Sequence, residues 1–156
     1  ETQTGLEELG LAMSAAREAG APCIIGSLAY DVTLDGSTFR TMMGVDPERA
    51  AEFMEEQGAD IAALNCGTGM DMTWARQAVL RYKEATSLPV MAQPNAGLPR
   101  LVNMKVVYDE TPDEMVRGVA PLLDAGANII GGCCGSTPDH IRAFKGAMDL
   151  YLSQHA

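Results

Sequence analysis

Cysteine is scarce in this sequence, with four in 156 residues, no Cys-x-x-Cys, and two of the four adjacent. That usage is unlike the disulfide framework of a small secreted domain and points to metal binding or thiol chemistry instead. Basic residues are also few. With 11 lysines and arginines against 21 acids, the formal charge is −10 at pH 7. Such a surface repels polyphosphates and anionic lipid, so neither a nucleic-acid partner nor membrane adhesion is expected. No apolar run approaches the roughly 18 to 20 residues of a membrane span, and the polar opening Glu1-Thr2-Gln3-Thr4 is unlike a signal peptide. A cytoplasmic location is predicted. Histidine occurs twice, as His140 in the first turn of the last expected helix and His155 near the end of the sequence, where surface or capping roles are expected.

What the sequence does contain is an alternation. The phrases Glu18-Ala19-Gly20-Ala21, Glu56-Gln57-Gly58-Ala59 and Asp124-Ala125-Gly126-Ala127 each lead into a short apolar run. Glycine after a helix accepts the left-handed conformation without a side-chain clash, so each phrase reads as a helix end followed by a strand. The spacing from Gly20 to Gly58 is 38 residues and from Gly58 to Gly126 is 68, which predicts one further unit between them, with its strand at Leu88-Pro89-Val90-Met91-Ala92-Gln93. Asp46-Pro47-Glu48, Thr111-Pro112-Asp113 and Thr137-Pro138-Asp139 each place a capping side chain before proline and an acid in the first turn, the signature of a helix start. Val116, Val119, Ala120 and Leu123, and then Ile141, Phe144, Met148 and Leu152, recur at helical steps.

The chain therefore reads as a helix followed by four strand-helix units with a parallel sheet. Both a doubly wound sheet and a (β/α)8 TIM barrel have this alternation. The barrel is favoured because the reactive residues fall at the carboxyl ends of separate strands, where barrel active sites are assembled. A full barrel takes about 250 residues, so residues 1–156 are expected to form roughly its second half, strands 5 to 8 with flanking helices. The first half is expected from another segment or a partner chain, since a free half-barrel would leave unpaired strand edges.

Cys66 closes the strand ending at Asn65, and Cys133-Cys134 close the last strand. Parallel strands would bring all three thiols to one rim. Three soft ligands suit Zn²⁺, and three is the ligand count of a catalytic zinc that keeps its fourth position open. Adjacent residues of a regular strand point to opposite faces, so Gly131, Gly132 and Gly135 are needed to bend the pair toward one metal. Buried apolar cysteines or a thiol-disulfide pair remain alternatives on the residues alone. Cys23, at the start of its strand, is expected in the core, far from the rim.

Asn65-Cys66-Gly67, Pro94-Asn95-Ala96-Gly97-Leu98-Pro99 and Gly131-Gly132-Cys133-Cys134-Gly135-Ser136-Thr137-Pro138-Asp139-His140-Ile141, in this order and spacing, resemble the second half of the homocysteine S-methyltransferase domain. The middle stretch is most similar to the homocysteine module of cobalamin-dependent enzymes in that family. The resemblance implies a (β/α)8 barrel in which Cys66, Cys133 and Cys134 hold zinc and the open position takes the thiol of L-homocysteine. It implies that Glu1 binds the substrate amino group, and that Asn95 approaches the zinc or orders the substrate loop; read by itself, Asn95 equally suits a turn before Gly97.

The implied reaction is transfer of a methyl group to the homocysteine sulfur, giving methionine. The expected donor is methylcobalamin recharged from a methylated folate, with the cobalamin bound by another domain or protein; betaine and S-methylmethionine are alternatives. Two readings from other classes stand beside this one: a structural-zinc scaffold with a fourth protein ligand, and a thiol redox module.

Overall fold

A computed structural model describes residues 1–155. Its centre is a sheet of four parallel strands, β1 (Ile25–Leu28), β4 (Ile61–Asn65), β5 (Val90–Gln93) and β8 (Ile129–Ile130), hydrogen-bonded in that order. Spatial order follows chain order. The reversal that defines a doubly wound sheet is absent among the described residues. Between these strands lie helices α1 (Leu6–Glu18), α2 (Pro47–Glu56), α3 (Met72–Ala85), α4 (Pro112–Met115), α5 (Val119–Asp124) and α6 (Pro138–His155). Helix α1 packs on α2, α2 on α3, α3 on α5 and α5 on α6, so the helices follow one another as the strands do.

The register explains which sheet face is apolar. Leu28, Leu64 and Ala92 are in line, as are Gly26, Ala62 and Val90, and every one except the glycine belongs to the core shared with Met54, Ala75, Val79 and Leu122. Alternation along a strand sends the next residues to the other face. There Ser27, Ala63 and Met91 are in register, followed toward the strand ends by Asn65 paired with Gln93. One face is thus hydrophobic and helix-covered, while the other turns polar at the carboxyl rim.

The glycines at 20, 58 and 126 all have positive φ, as their places after helices require. Helices begin at Pro47, Pro112 and Pro138, as the sequence predicts, but their ends are satisfied differently. Thr111 and Glu114 form a reciprocal capping box, whereas Asp46 makes no cap bond and pairs with Arg40 at 3.0 Å. At the third start His140 does the work. It is buried, not on the surface, its Nδ1 accepting from the Thr137 N–H at 3.1 Å and its Nε2 lying 2.9 Å from the Glu110 carbonyl.

Three further features depart from the sequence reading. The helix expected from residue 112 to 124 is interrupted by a 3₁₀ turn at Val116–Gly118. Two antiparallel hairpins, β2 (Asp31–Val32) with β3 (Phe39–Arg40) and β6 (Pro99–Val102) with β7 (Lys105–Tyr108), rise from the rim after β1 and β5. Cys23 is exposed rather than in the core, because β1 begins two residues later and leaves it in the preceding loop.

Candidate metal centre

Cys66 and the Cys133-Cys134 pair leave β4 and β8 at the same rim, and their sulfurs lie within 4.8 Å of one another. Cys66 Sγ and Cys134 Sγ are 3.5 Å apart, and all three thiols are free and half-buried. Zinc–sulfur bonds of about 2.3 Å in a tetrahedron separate the sulfurs by about 3.8 Å, so this cluster has the size and soft-donor chemistry that zinc takes. No further His, Cys, Asp or Glu joins the cluster among the described residues.

Each thiol is positioned by its own local device. Cys66 has φ +57°, in the left-handed region, which redirects its side chain out of the strand. The next residue must then be glycine: at φ +96° a Cβ on Gly67 would stand 1.8 Å from the Tyr30 carbonyl oxygen. This turn is fixed by Cys66 N–H to Gln93 O at 3.3 Å, Thr68 N–H to Asp31 Oδ1 at 2.6 Å, and Val32 N–H to Thr68 O at 2.9 Å. The Cys133-Cys134 turn is held from the β5 side. Cys133 N–H donates to Pro94 O at 2.8 Å and Ala96 N–H to Cys134 O at 2.9 Å.

Asn95 joins the two turns. Its Nδ2 donates to Gly67 O at 2.8 Å and its Oδ1 accepts from Cys134 N–H at 3.1 Å, so a single buried amide links the segment of one thiol to that of another. Asn65, whose side-chain role the sequence does not reveal, lies beneath the cluster. Fully buried, it donates from Nδ2 to Thr2 Oγ1 at 2.7 Å and toward Cys133 Sγ at 3.8 Å, while its Oδ1 accepts from Ser27 Oγ at 2.6 Å and Thr2 N–H at 2.9 Å. Glu1 is placed differently from the other candidates. It is exposed and lines a shallow cleft with Cys23, Ile24 and Ile25; only its neighbour Thr2 reaches the network under the thiols.

Burial pushes the Cys66 thiol up to about 12; the Gly67 N–H opposes this, and the neighbouring thiols of Cys134 and Cys133 add to it. Without a cation this sulfur is protonated throughout the neutral range. Tyr108, the last residue of β7, closes a cleft of about 240 Å³ with Cys66, Asn95 and Cys134. Desolvation first, and then the neighbouring Cys134 thiol, raise its ionisation above the ordinary tyrosine value.

A parallel α/β sheet with a three-cysteine centre at its carboxyl rim defines a class of thiol-liganded site, and comparison with known proteins gives it a family. Residues 1–148 match the homocysteine S-methyltransferase family, and the chain belongs to it. Over 114 residues, 72% of the chain, it is 34% identical to methionine synthase of Mycobacterium leprae (strain TN) and, equally, to methionine synthase of Mycobacterium tuberculosis (strain ATCC 25618 / H37Rv). The chain spans 9% of the length of these relatives. Among solved structures, the carboxyl transferase domain of Rhizobium etli pyruvate carboxylase with pyruvate and biocytin superposes with a TM-score of 0.54 at 17% identity, over 86% of this chain and 20% of that one. The same domain with pyruvate gives 0.53 at 17% identity, over 84% and 20%. These two are alike in fold alone.

Proposed function

We propose that the chain is the thiol-activating half of a zinc-dependent homocysteine methyltransferase. Cys66, Cys133 and Cys134 would hold the metal, and the fourth position would receive the homocysteine sulfur. The observation that carries this reading is the convergence of three sulfurs, from two strands separated in sequence, on one volume of zinc-site size. When bound, zinc supplies the positive charge that lets an incoming thiol ionise near neutral pH. The protein's part is orientation. Asn95 holds the two cysteine turns at fixed separation, and Asn65 fixes Cys133 from below.

With the substrate sulfur ionised, its lone pair forms the new S–CH₃ bond as the bond from methyl to the donor breaks, and the donor leaves with that electron pair. Methionine is the product, and the reaction needs no general base. A methylcorrinoid recharged by a methylated folate and carried by another domain or protein fits the length of the relatives; betaine and S-methylmethionine are the other candidate donors. By resemblance to the family, Glu1 is the candidate for the substrate amino group, although it lines the cleft with Cys23 and would have to turn toward the sulfur cluster, and Asn95 would approach the zinc or order the substrate loop. The site belongs, in this reading, to the second half of a (β/α)8 barrel in a cytoplasmic protein. Support comes from the sequential strand order and from apolar residues left exposed on the flanks: Ile129 on β8, and Ile141, Leu150 and Leu152 on α6.

A closed structural zinc site would need a fourth protein ligand, and none joins the cluster among the described residues. A redox pair uses two sulfurs and gives no reason for a third. The deciding experiment is zinc content per chain on protein purified under reductant, with X-ray absorption at the zinc edge, with and without L-homocysteine. The expected result is about one zinc whose shell changes from three sulfurs and a light atom to four sulfurs. A shell unaltered by homocysteine would refute the substrate assignment.

A further inference from the structure

Thr2 has φ +61°, in the left-handed region, where a β-branched residue is a genuine outlier. Such a conformation persists where the surroundings over-determine it, and here they centre on one side chain. Thr2 N–H donates to Asn65 Oδ1 at 2.9 Å while Asn65 Nδ2 donates to Thr2 Oγ1 at 2.7 Å, a two-point clasp closed across 63 residues. The edge of β1 holds the same segment, through Gln3 N–H to Ser27 O at 3.1 Å and Ala29 N–H to Gln3 O at 2.8 Å.

The clasp fixes which way the amide of Asn65 points. A backbone N–H can only donate, so the end facing Thr2 N is the oxygen, which also accepts from Ser27 Oγ at 2.6 Å. One amide N–H is taken by Thr2 Oγ1, and the other is aimed at Cys133 Sγ, 3.8 Å from Nδ2. Among the described residues no other side-chain N–H reaches any of the three sulfurs; Cys66 Sγ and Cys134 Sγ face each other at 3.5 Å instead. A hydrogen bond to a metal-bound thiolate withdraws charge from sulfur and lowers its nucleophilicity, and partners of this kind tune metal ligands generally. In a centre where ligand sulfurs sit beside a substrate sulfur, methylation of a ligand would destroy the site.

We propose that Asn65 is a positioning residue that makes Cys133 the ligand sulfur least open to methylation, and that the strained Thr2 segment is the catch that aims its amide. This assignment rests on the zinc reading given above.

The test uses the zinc-loaded full chain and its Asn65→Asp and Thr2→Val variants. Aspartate keeps its oxygens for the Ser27 hydroxyl, the Thr2 N–H and a rotated Thr2 hydroxyl, and removes only the N–H aimed at sulfur. Valine keeps the branched shape of an exposed residue and removes only the Oγ1 half of the clasp. Each protein is treated with methyl iodide, whose C–I bond breaks as a sulfur lone pair forms the S–CH₃ bond and iodide departs. Zinc content is measured before treatment, and methylated cysteines are located by peptide mass spectrometry. In the wild type Cys133 is expected to react slowest. At equal zinc content, its rate relative to Cys66 in the same molecule should rise about fivefold in Asn65→Asp and about twofold in Thr2→Val. If Asn65→Asp retains no zinc, the ratio in Thr2→Val decides alone. A merely structural role would raise all three rates together and leave the ratio unchanged; that result, or a wild-type Cys133 that reacts as fast as Cys134, would overturn the proposal while leaving the zinc reading intact. A wild-type chain that retains no zinc would overturn both.

Discussion

Cys66 reaches the rim with its own backbone in the left-handed region at φ +57°, whereas Cys133 and Cys134 have negative φ and depend on the glycine that follows them, Gly135 at φ +82°. A non-glycine residue in that region costs about 1 to 2 kcal/mol, so the first turn stores strain that its surroundings must offset. They do so rigidly: Gly67 is pressed against the Tyr30 backbone, and Tyr30 is itself fully buried. The second turn is pressed against the side chain of Tyr108, on a hairpin whose other strand residues are exposed. One thiol is thus presented by an inflexible wall and two by a yielding one. In the proposed zinc site this asymmetry would keep one ligand fixed and leave a pair able to adjust to an incoming substrate sulfur.

Substitutions on either side should separate the two walls. Gly67→Ala is the most damaging, because the added carbon would lie 1.8 Å from a backbone oxygen that cannot swing away. We expect a loss of about 3 kcal/mol or more in urea unfolding, together with loss of zinc retention. Asn95→Ala follows, since it leaves the Cys134 N–H and the Gly67 carbonyl without their side-chain partner and uncouples the two turns. About 2 kcal/mol is expected, with weaker zinc binding measured by competition with a chelator. Gly135→Ala should cost about 2 kcal/mol, less than Gly67→Ala, because its φ of +82° already strains an alanine and the added carbon meets Tyr108 Cβ and Cγ, which can shift with the hairpin, rather than a fixed backbone oxygen. Equal losses for Gly67→Ala and Gly135→Ala would erase the distinction between a rigid and a yielding wall.

The same contrast separates what the sequence discloses from what it does not. The strand-helix alternation is legible because glycine after a helix and proline at its first turn have local, residue-specific causes, and Gly20, Pro47 and Pro138 stand where those causes place them. The cysteine cluster is legible because parallel strands carry Cys66 and Cys133-Cys134 to one rim whatever the details. The hairpins are not: β2 and β3 are two residues each, and Leu101-Val102 and Val106-Val107 show no alternation because neither face of that ribbon is buried. Cys23 beside Ile24-Ile25 has the look of a core residue, yet the strand starts at Ile25. Asn65 and Tyr108 escape notice because their partners are distant in sequence. The contacts of Asn65 span 38 to 68 residues.

A smaller effect follows from the protonation of the rigid-wall thiol. In the metal-free chain Cys66 ionises near 12 when folded, against an ordinary value of 9.0. Between those values the unfolded chain gives up its proton first, so the folded state binds more protons and stability falls as pH rises. The thermal midpoint of the metal-free protein should therefore drop on going from pH 9 upward, and Cys66→Ser, with no ionisable group in that range, should flatten the slope. Zinc should remove the dependence as well, since a coordinated thiolate holds no proton to release.

The smallest effect expected is that of Cys23→Ala, and it bears on the comparison because Cys23 belongs to neither wall. It is exposed in the loop before β1, in the cleft lined by Glu1, Ile24 and Ile25, and outside the sulfur cluster. An exposed cysteine with no structural partner leaves stability within about 0.5 kcal/mol when removed, and it has no route to the metal. Zinc per chain should be unchanged in Cys23→Ala and sharply reduced in Cys66→Ala, Cys133→Ala and Cys134→Ala. If all four variants lost zinc alike, metal retention would reflect general loosening of the fold, and neither wall could be credited with presenting a ligand.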